Sequence, residues 1–377
     1  MLNNITITDL ELFYFLNTAC KWNINIINCY NNILFTADFQ NLLYGGLMKN
    51  KTKRILTIIV TVLLVLIIAA LIAYKGFYAR VYNQSNVSQN TEIGSNIEEL
   101  SLETIVQNMA DFPDRFAGTK SNALSGQYIR NYFKTAGLEP YMGDSYYQSF
   151  YGTWLKNSNY YHLAVNGTVE NVAGKIIGAD SSKAVVISAH FDSYMSKGIL
   201  DNASGVAVLL ELSKRLANQF PSGTYPVDIV FVSFNAEECG LEGSSPFYQD
   251  LSTRYKELYN INMDVVGALD KPLAFKNIDP NSEALYQDFL PILDAHDVPY
   301  DTDAIYAADI YGEPYGQSDH VIFQNNGRAA IILGESKLQG YTNTPNDSDM
   351  EAMDFPELAR VADAVEQFVV SSNGKMY

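Results

Sequence analysis

One histidine and several carboxylates stand at spacings that could hold metal ions and move a proton. His190 and Asp192 are two residues apart, and Asp201 lies eleven after His190. Glu237 and Glu238 are adjacent, and Asp264 follows. Imidazole and carboxylate are the ligands of a zinc site that keeps a water. Two divalent ions a few Å apart need a shared anionic bridge, and Asp201 is placed to be one. A carboxylate outside the ligand set must then take a proton from the attacking water. Neighbours on a regular strand point to opposite faces. Glu237 and Glu238 can therefore divide these duties only past a strand end, where Asn235-Ala236 and Gly240 supply the bend.

Such residues need elements that deliver them to one place. The apolar, β-branched run Val185 to Ser188 ends in His190 and Asp192, as a buried parallel strand does at its C-terminal edge. Asp201-Asn202-Ala203-Ser204-Gly205 precedes an apolar-periodic run with Val206, Val208, Leu209, Leu210 and Leu212. Ser204 is the expected N-cap of that helix. A second buried run, Val227 to Phe234, ends just before Glu237. Two strand ends and a helix start would thus meet at one edge of an open α/β sheet, where such sheets bind ligands.

The stretch resembles the co-catalytic zinc aminopeptidases, peptidase family M28. The residues that carry the resemblance are His190-Phe191-Asp192, Gly198-Ile199-Leu200-Asp201-Asn202-Ala203-Ser204-Gly205 and Glu237-Glu238-Cys239-Gly240-Leu241. Asn262-Met263-Asp264, Ser318-Asp319-His320 and Asn343-Thr344-Pro345-Asn346-Asp347 continue it, over about residues 98 to 370. The resemblance implies two zinc ions. His190 and Asp264 would hold one, Asp201 would bridge, and Glu238 would hold the other. Glu237 would be the general base and Asp192 would orient His190. It also implies a cis peptide at Asp201–Asn202. One position departs from the pattern: Asn343 stands where the family usually has a histidine ligand, which weakens the second site. His320 is expected to be structural or to face substrate.

The 377-residue chain carries a formal charge of −17. Residues 1–81 hold seven of its 25 basic and three of its 42 acidic residues, so the remainder has 18 against 39, a net of −21. Such a domain will not seek nucleic acid or anionic lipid, and suits cationic ligands such as free amino groups. Cys239 is the lone cysteine after residue 29, so an intrachain disulfide cannot brace the main domain. It is read as a small apolar residue.

Ile55 to Ala73 is an uncharged apolar run of 19 residues. As a helix it spans about 28 Å, near the roughly 30 Å of a bilayer core. Lys49, Lys51, Lys53 and Arg54 crowd its N-terminal side, which places the N-terminus in the cytoplasm. The expected order is an extension of uncertain status (1–47), a basic flank (48–54), a signal anchor (55–73), a linker (74–97) and a peptidase domain (98–377). A cleaved signal peptide is the alternative to the anchor. The location is the cell membrane, single-pass, with the large domain outside.

The expected fold is α/β: a mixed, mainly parallel central sheet with helices on both faces, after one transmembrane helix. Ser101–Met109, Ser125–Ala136, Gly243–Leu251, Ser282–His296, Asp319–Asn325 and Phe355–Val370 read as helices; Asn171–Ile177, Ile261–Val266 and Ala329–Leu333 read as strands. Tyr141–Tyr161 is Tyr-rich and expected to be paired edge strands, and Ala304–Gly316 is a candidate specificity loop with Tyr306, Tyr311 and Tyr315. His296 is expected to be a surface residue.

The expected activity is metal-dependent removal of the N-terminal residue of peptides by metal-activated water, with Glu237 as base. The partners are a peptide with a free amino terminus and the membrane. A carboxypeptidase or dipeptidase of the same site type is an alternative, and would use Arg115 or Arg328 for the substrate carboxylate. A non-catalytic surface binding module with a degraded metal site is another.

Overall fold

In the computed structural model, residues 97, 100–151, 168–307, 318–338 and 340–377 are described. The segment Ile55–Ala73 with its flanks, His162, Tyr311 and Tyr315 lie outside them. Among the described residues no helix is long and apolar enough to cross a membrane.

The chain opens with helices α1 (Leu102–Ala110) and α2 (Lys120–Thr135). Ser101 and Thr119 cap them, each side chain accepting a backbone N–H three residues on. Strands β1 (Glu139–Pro140), β2 (Tyr147–Tyr151), β3 (Thr168–Ile176) and β4 (Asp180–His190) follow. A wide helical turn, Ile199–Ser204, leads into α3 (Gly205–Gln219). Then come β5 (Val227–Phe234), α4 (Ser244–Arg254) and β6 (Glu257–Met263). The chain continues with β7 (Leu273–Ala274), α5 (Glu283–Ala295), β8 (Tyr300–Asp301), α6 (His320–Gln324), β9 (Ala330–Leu333) and α7 (Phe355–Ser372).

The central sheet has seven strands in the order β1-β3-β5-β4-β6-β9, with β2 also on β3. Pairings β5/β4, β4/β6 and β6/β9 are parallel, while β1, β2 and β5 pair antiparallel with β3. The sheet is therefore half parallel rather than mainly so. The cause is connection length. Parallel neighbours need a long crossover, which α3 and α4 supply between β4, β5 and β6. Only Ile177–Ala179 separate β3 from β4, so β3 turns back and docks on β5 instead.

The two-residue period of the strands explains helices on both faces. Val185, Ile187, Ile229, Phe231, Ile261 and Met263 join one core with α1, α2, α3, α5 and α7. Their neighbours Val186, Val230, Val232 and Phe234 join another core with Phe247 and Leu251 of α4 and Phe323 of α6. Each such fully buried side chain contributes roughly 1.5–3 kcal/mol. The closing helix α7 buries Leu358, Val361, Val365 and Phe368, the periodic positions of its sequence.

Two local expectations change. Ser204 does not cap α3 with its hydroxyl, which donates to the Leu200 carbonyl. The Asn202 side chain takes that place and accepts the Gly205 N–H at 2.9 Å. Strand β6 ends at Met263, so Asp264 and Val266 lie beyond it.

Candidate metal centre

Three neighbouring parallel strands end at the same level. His190 closes β4 in register with Phe234, the last residue of β5. On the other side β6 ends at Met263, and the Asp264 N–H bonds to the Leu333 carbonyl at 3.0 Å. Past β5, Asn235 is held by Asn171, Asn122 and the Glu170 carbonyl. Ala236 and Gly240 then take positive φ, which turns Glu237 and Glu238 back across the strand ends. The fourth contribution is the Ile199–Ser204 turn, which begins after Gly198 at φ +57°. A Cβ at Gly198 would overlap the Asp201 carbonyl oxygen and the Ser193 side chain. The Asp201–Asn202 peptide is cis.

The side chains meet in a buried cluster. His190 Nε2 lies 3.1 Å from an oxygen of Asp201 and 3.1 Å from an oxygen of Asp264. Among the described residues, these three form the one group of three potential ligand atoms within 4.8 Å of one another. Asp192 stands behind them. One of its oxygens lies 3.5 Å from His190 Nδ1, and its two oxygens accept the backbone N–H groups of Glu237 and Glu238 at 3.1 and 3.2 Å. A single carboxylate thus aligns the imidazole and the acidic pair together.

Glu238 and Asn343 fall outside the three-residue group. Each carries a buried oxygen without a hydrogen-bond partner, Glu238 Oε1 and Asn343 Oδ1. Asn343 sits at φ +57° in the turn that ends at Asp347. Asp347 in turn accepts the Leu200 and Asp201 N–H groups, at 2.8 and 3.0 Å, one with each oxygen. The turn bearing Asn343 is thereby tied to the backbone of Asp201.

Burial and crowding set the charges. Burial, with Asp201 and Glu237 next to it, pushes the Glu238 carboxyl well above the usual range; burial also raises Glu237, where Asp264 and Asp319 add to it. Burial lifts Asp201 to about 6. Burial alone would lower His190, but Asp264 and Glu237 outweigh it and hold the imidazole well above its ordinary value. Asp264 is buried too, yet His190 and the hydroxyls of Ser318 and Tyr306 keep it below the usual range. So many acids around one imidazole leave an excess of negative charge in a dry place. Divalent cations would relieve it. The donor set and the orphaned oxygens therefore fit metal.

Three site residues were not assigned from sequence. Asp319 is buried with no hydrogen bond to either oxygen, and burial raises it to about 7. Its presence in Ser318-Asp319-His320 was the available signal. Tyr306 reaches Asp264 from the expected specificity loop, whose residues 308–316 lie outside those described. Ser318 ends a buried chain of donors. Asn260 Nδ2 donates to Ser188 Oγ at 2.9 Å, and Ser188 donates to Asn262 Oδ1 at 2.6 Å. Asn262 Nδ2 donates to Ser318 Oγ at 2.9 Å, which leaves the Ser318 proton for Asp264. His320 is buried, with Nδ1 unpartnered, and burial lowers it to about 4. His296 bonds Gln367 instead.

Arg115 and Arg328 are not carboxylate receptors. The Arg115 guanidinium is fully buried and donates to the carbonyls of Met109, Phe191, Lys197 and Gly198. It braces the loop between β4 and the Ile199 turn. Arg328 bonds the Lys256 carbonyl, at the opposite end of the sheet from His190. Cys239 packs against the apolar group of Ala117, Phe150, Val169 and Ala236, as a small apolar residue would.

The sequence profile of peptidase family M28 matches residues 171–369. The chain belongs to peptidase family M28. Several of its curated relatives are named aminopeptidases. It is 31% identical over 215 residues to the aminopeptidase YwaD of Bacillus subtilis, covering 53% of this chain and 44% of that one. The chain thus spans under half the length of that curated relative. Two solved structures share the fold. A Zn-dependent exopeptidase from Parabacteroides distasonis superposes with a TM-score of 0.53 at 19% identity, over 71% of this chain and 96% of that one. A glutaminyl cyclase from Bacteroides thetaiotaomicron gives 0.54 at 17% identity, over 71% and 96%. The fold of the family therefore serves more than one reaction, and the side chains must decide.

Proposed function

We propose that this chain is a zinc-dependent aminopeptidase that hydrolyses the first peptide bond of substrates with a free amino terminus. The observation that carries the reading is the buried group of His190, Asp201 and Asp264, with the adjacent pair Glu237-Glu238 turned toward it by Asp192. His190 and Asp264 would hold one ion, Asp201 would bridge, and Glu238 with Asn343 would hold the other. Bound zinc would supply Lewis acidity, lowering the pKa of water and polarising the scissile carbonyl.

The residues of the chain do the rest. Glu237 is the general base: it takes a proton from the attacking water and gives it to the leaving amine. Asp192 keeps His190 and both glutamates oriented. The surrounding carboxylates favour a cationic α-amino group and repel a free carboxylate. That preference, with Arg115 already bonded to four carbonyls, favours an aminopeptidase over a carboxypeptidase.

The test is turnover of three peptides of one sequence: free at both ends, acetylated at the N-terminus, and amidated at the C-terminus. Metal content is measured beside it. The reading expects zinc in the purified protein, cleavage of the free and amidated peptides, and none of the acetylated one. Cleavage of the acetylated but not the amidated peptide means a carboxypeptidase. Bound metal without any turnover means a binding module.

A further inference from the structure

We propose that the two cation positions of this chain differ in kind. The position at His190 and Asp264 is a strong zinc site, and the one at Glu238 and Asn343 discriminates little against a hard, oxygen-seeking divalent cation of the manganese or magnesium type and takes it when that cation is in excess. The inference rests on the metallopeptidase reading above and departs from it at the second ion.

The donor atoms carry it. At the first position an imidazole nitrogen stands 3.1 Å from two carboxylate oxygens. Imidazole suits zinc, whereas carboxylate, carbonyl and water suit magnesium and manganese. At the second position every donor is an oxygen: Asp201, Glu238 and the Asn343 amide. Among the described residues, no histidine other than His190 belongs to a group of three close ligand atoms. Cys239, next to Glu238 in sequence, packs into an apolar cluster.

The orphaned oxygens point the same way. Glu238 Oε1 and Asn343 Oδ1 are both buried, and neither has a hydrogen-bond partner. Leaving a buried acceptor unmatched is costly, and more so when it is charged. Two such atoms therefore call for a cation. An amide oxygen is a common ligand of hard cations and a poor substitute for imidazole on zinc. Asn343 also sits in the left-handed region, which asparagine tolerates, in the turn that Asp347 ties to the backbone of Asp201.

The experiment loads the stripped full-length protein with two equivalents of zinc and about a hundredfold excess of manganese, then removes free metal. Elemental analysis counts both metals, and the electron paramagnetic resonance of manganese reports its ligands. Wild type should retain one zinc and one manganese. Glu238→Gln should lose the manganese and keep the zinc. Asn343→His should exchange manganese for a second zinc, shifting the manganese-to-zinc preference by about tenfold or more. Circular dichroism checks that each variant folds. Two zinc ions in wild type, or no shift in Asn343→His, overturns the inference and leaves the metallopeptidase reading standing. Absence of zinc from every variant and from wild type overturns both.

Discussion

Glu237 and Glu238 differ by one bond along the chain, yet their neighbours give them different work. The charges that act most on Glu237 are those of His190, Asp264 and Asp319, with Asp201 after them, whereas Glu238 feels Asp201 first. Glu237→Gln should therefore abolish turnover while zinc stays bound, because a proton acceptor is lost and a ligand is not. General-base catalysis contributes about 10²–10⁴-fold, so the loss should fall in that range. Glu238→Gln should release one cation instead. Rate and metal content measured on both variants decide the assignment; the opposite pattern exchanges the two roles. Asp192 reports on both, since its carboxylate holds the pair by their backbone and His190 by its ring.

Strand β6 reaches the site through its polar face. Asn260 and Asn262 point away from the main apolar core and, with Ser188 of β4 and Ser318 before α6, form a run of donors that ends on Asp264. Each partner fixes the direction of the next. The amide of Asn262 donates to Ser318, so the Ser318 proton has to point at Asp264. Asn262→Asp keeps the shape and replaces that donor with an acceptor. Ser318 must then turn its proton away from Asp264. Zinc affinity, read by competition with a chelator, should fall roughly 10–100-fold, as supporting hydrogen bonds around metal ligands typically cost. Ser318→Ala should give a loss of similar size. Unchanged zinc affinity in both would make the run a packing device without bearing on the metal.

Stability of the domain should depend on pH at a carboxyl outside the metal-ligand set. Glu357 near the start of α7 is 3% exposed, and its Oε1 has no partner. Burial, with Asp354 near it, raises it to about 7. A carboxyl raised in the folded state binds its proton more tightly there than in the unfolded chain. Its contribution is full below the unfolded value near 4.5 and is lost as pH rises through about 7. Glu357→Gln should remove that slope and raise the melting temperature above pH 7, by about 1–3 kcal/mol of stability. A wild-type melting curve flat between pH 5 and 8 would sink this account, the interval following from the linkage. On the cell, the charge asymmetry around Ile55–Ala73 carries only the expectation that the domain lies outside. Protease added to intact cells should remove it, and full protection would mean the reverse orientation.

The cluster of chemistry was legible in the sequence because it is punctuated by local rules. Apolar β-branched runs that stop at His190 and before Glu237 mark buried strand ends, and glycines at 198, 205 and 240 mark the turns between them. Helix α7 followed from its apolar periodicity, whereas α2 starts at Lys120 with Thr119 as its cap, five residues before the expected Ser125. The half-antiparallel sheet did not follow, because strand partners are chosen by distant segments: nothing near β3 says that it will skip β4 and pair with β5. Arg115 looked like an anion receptor until its four carbonyl partners were seen, drawn from residues 109 to 198. Asp319, Tyr306 and Ser318 likewise come to the site from elements more than forty residues past Asp264 along the chain. Residue type and local spacing are properties of the sequence; the partners that fill a buried donor or acceptor belong to the packed fold, since burial is what makes each of them obligatory.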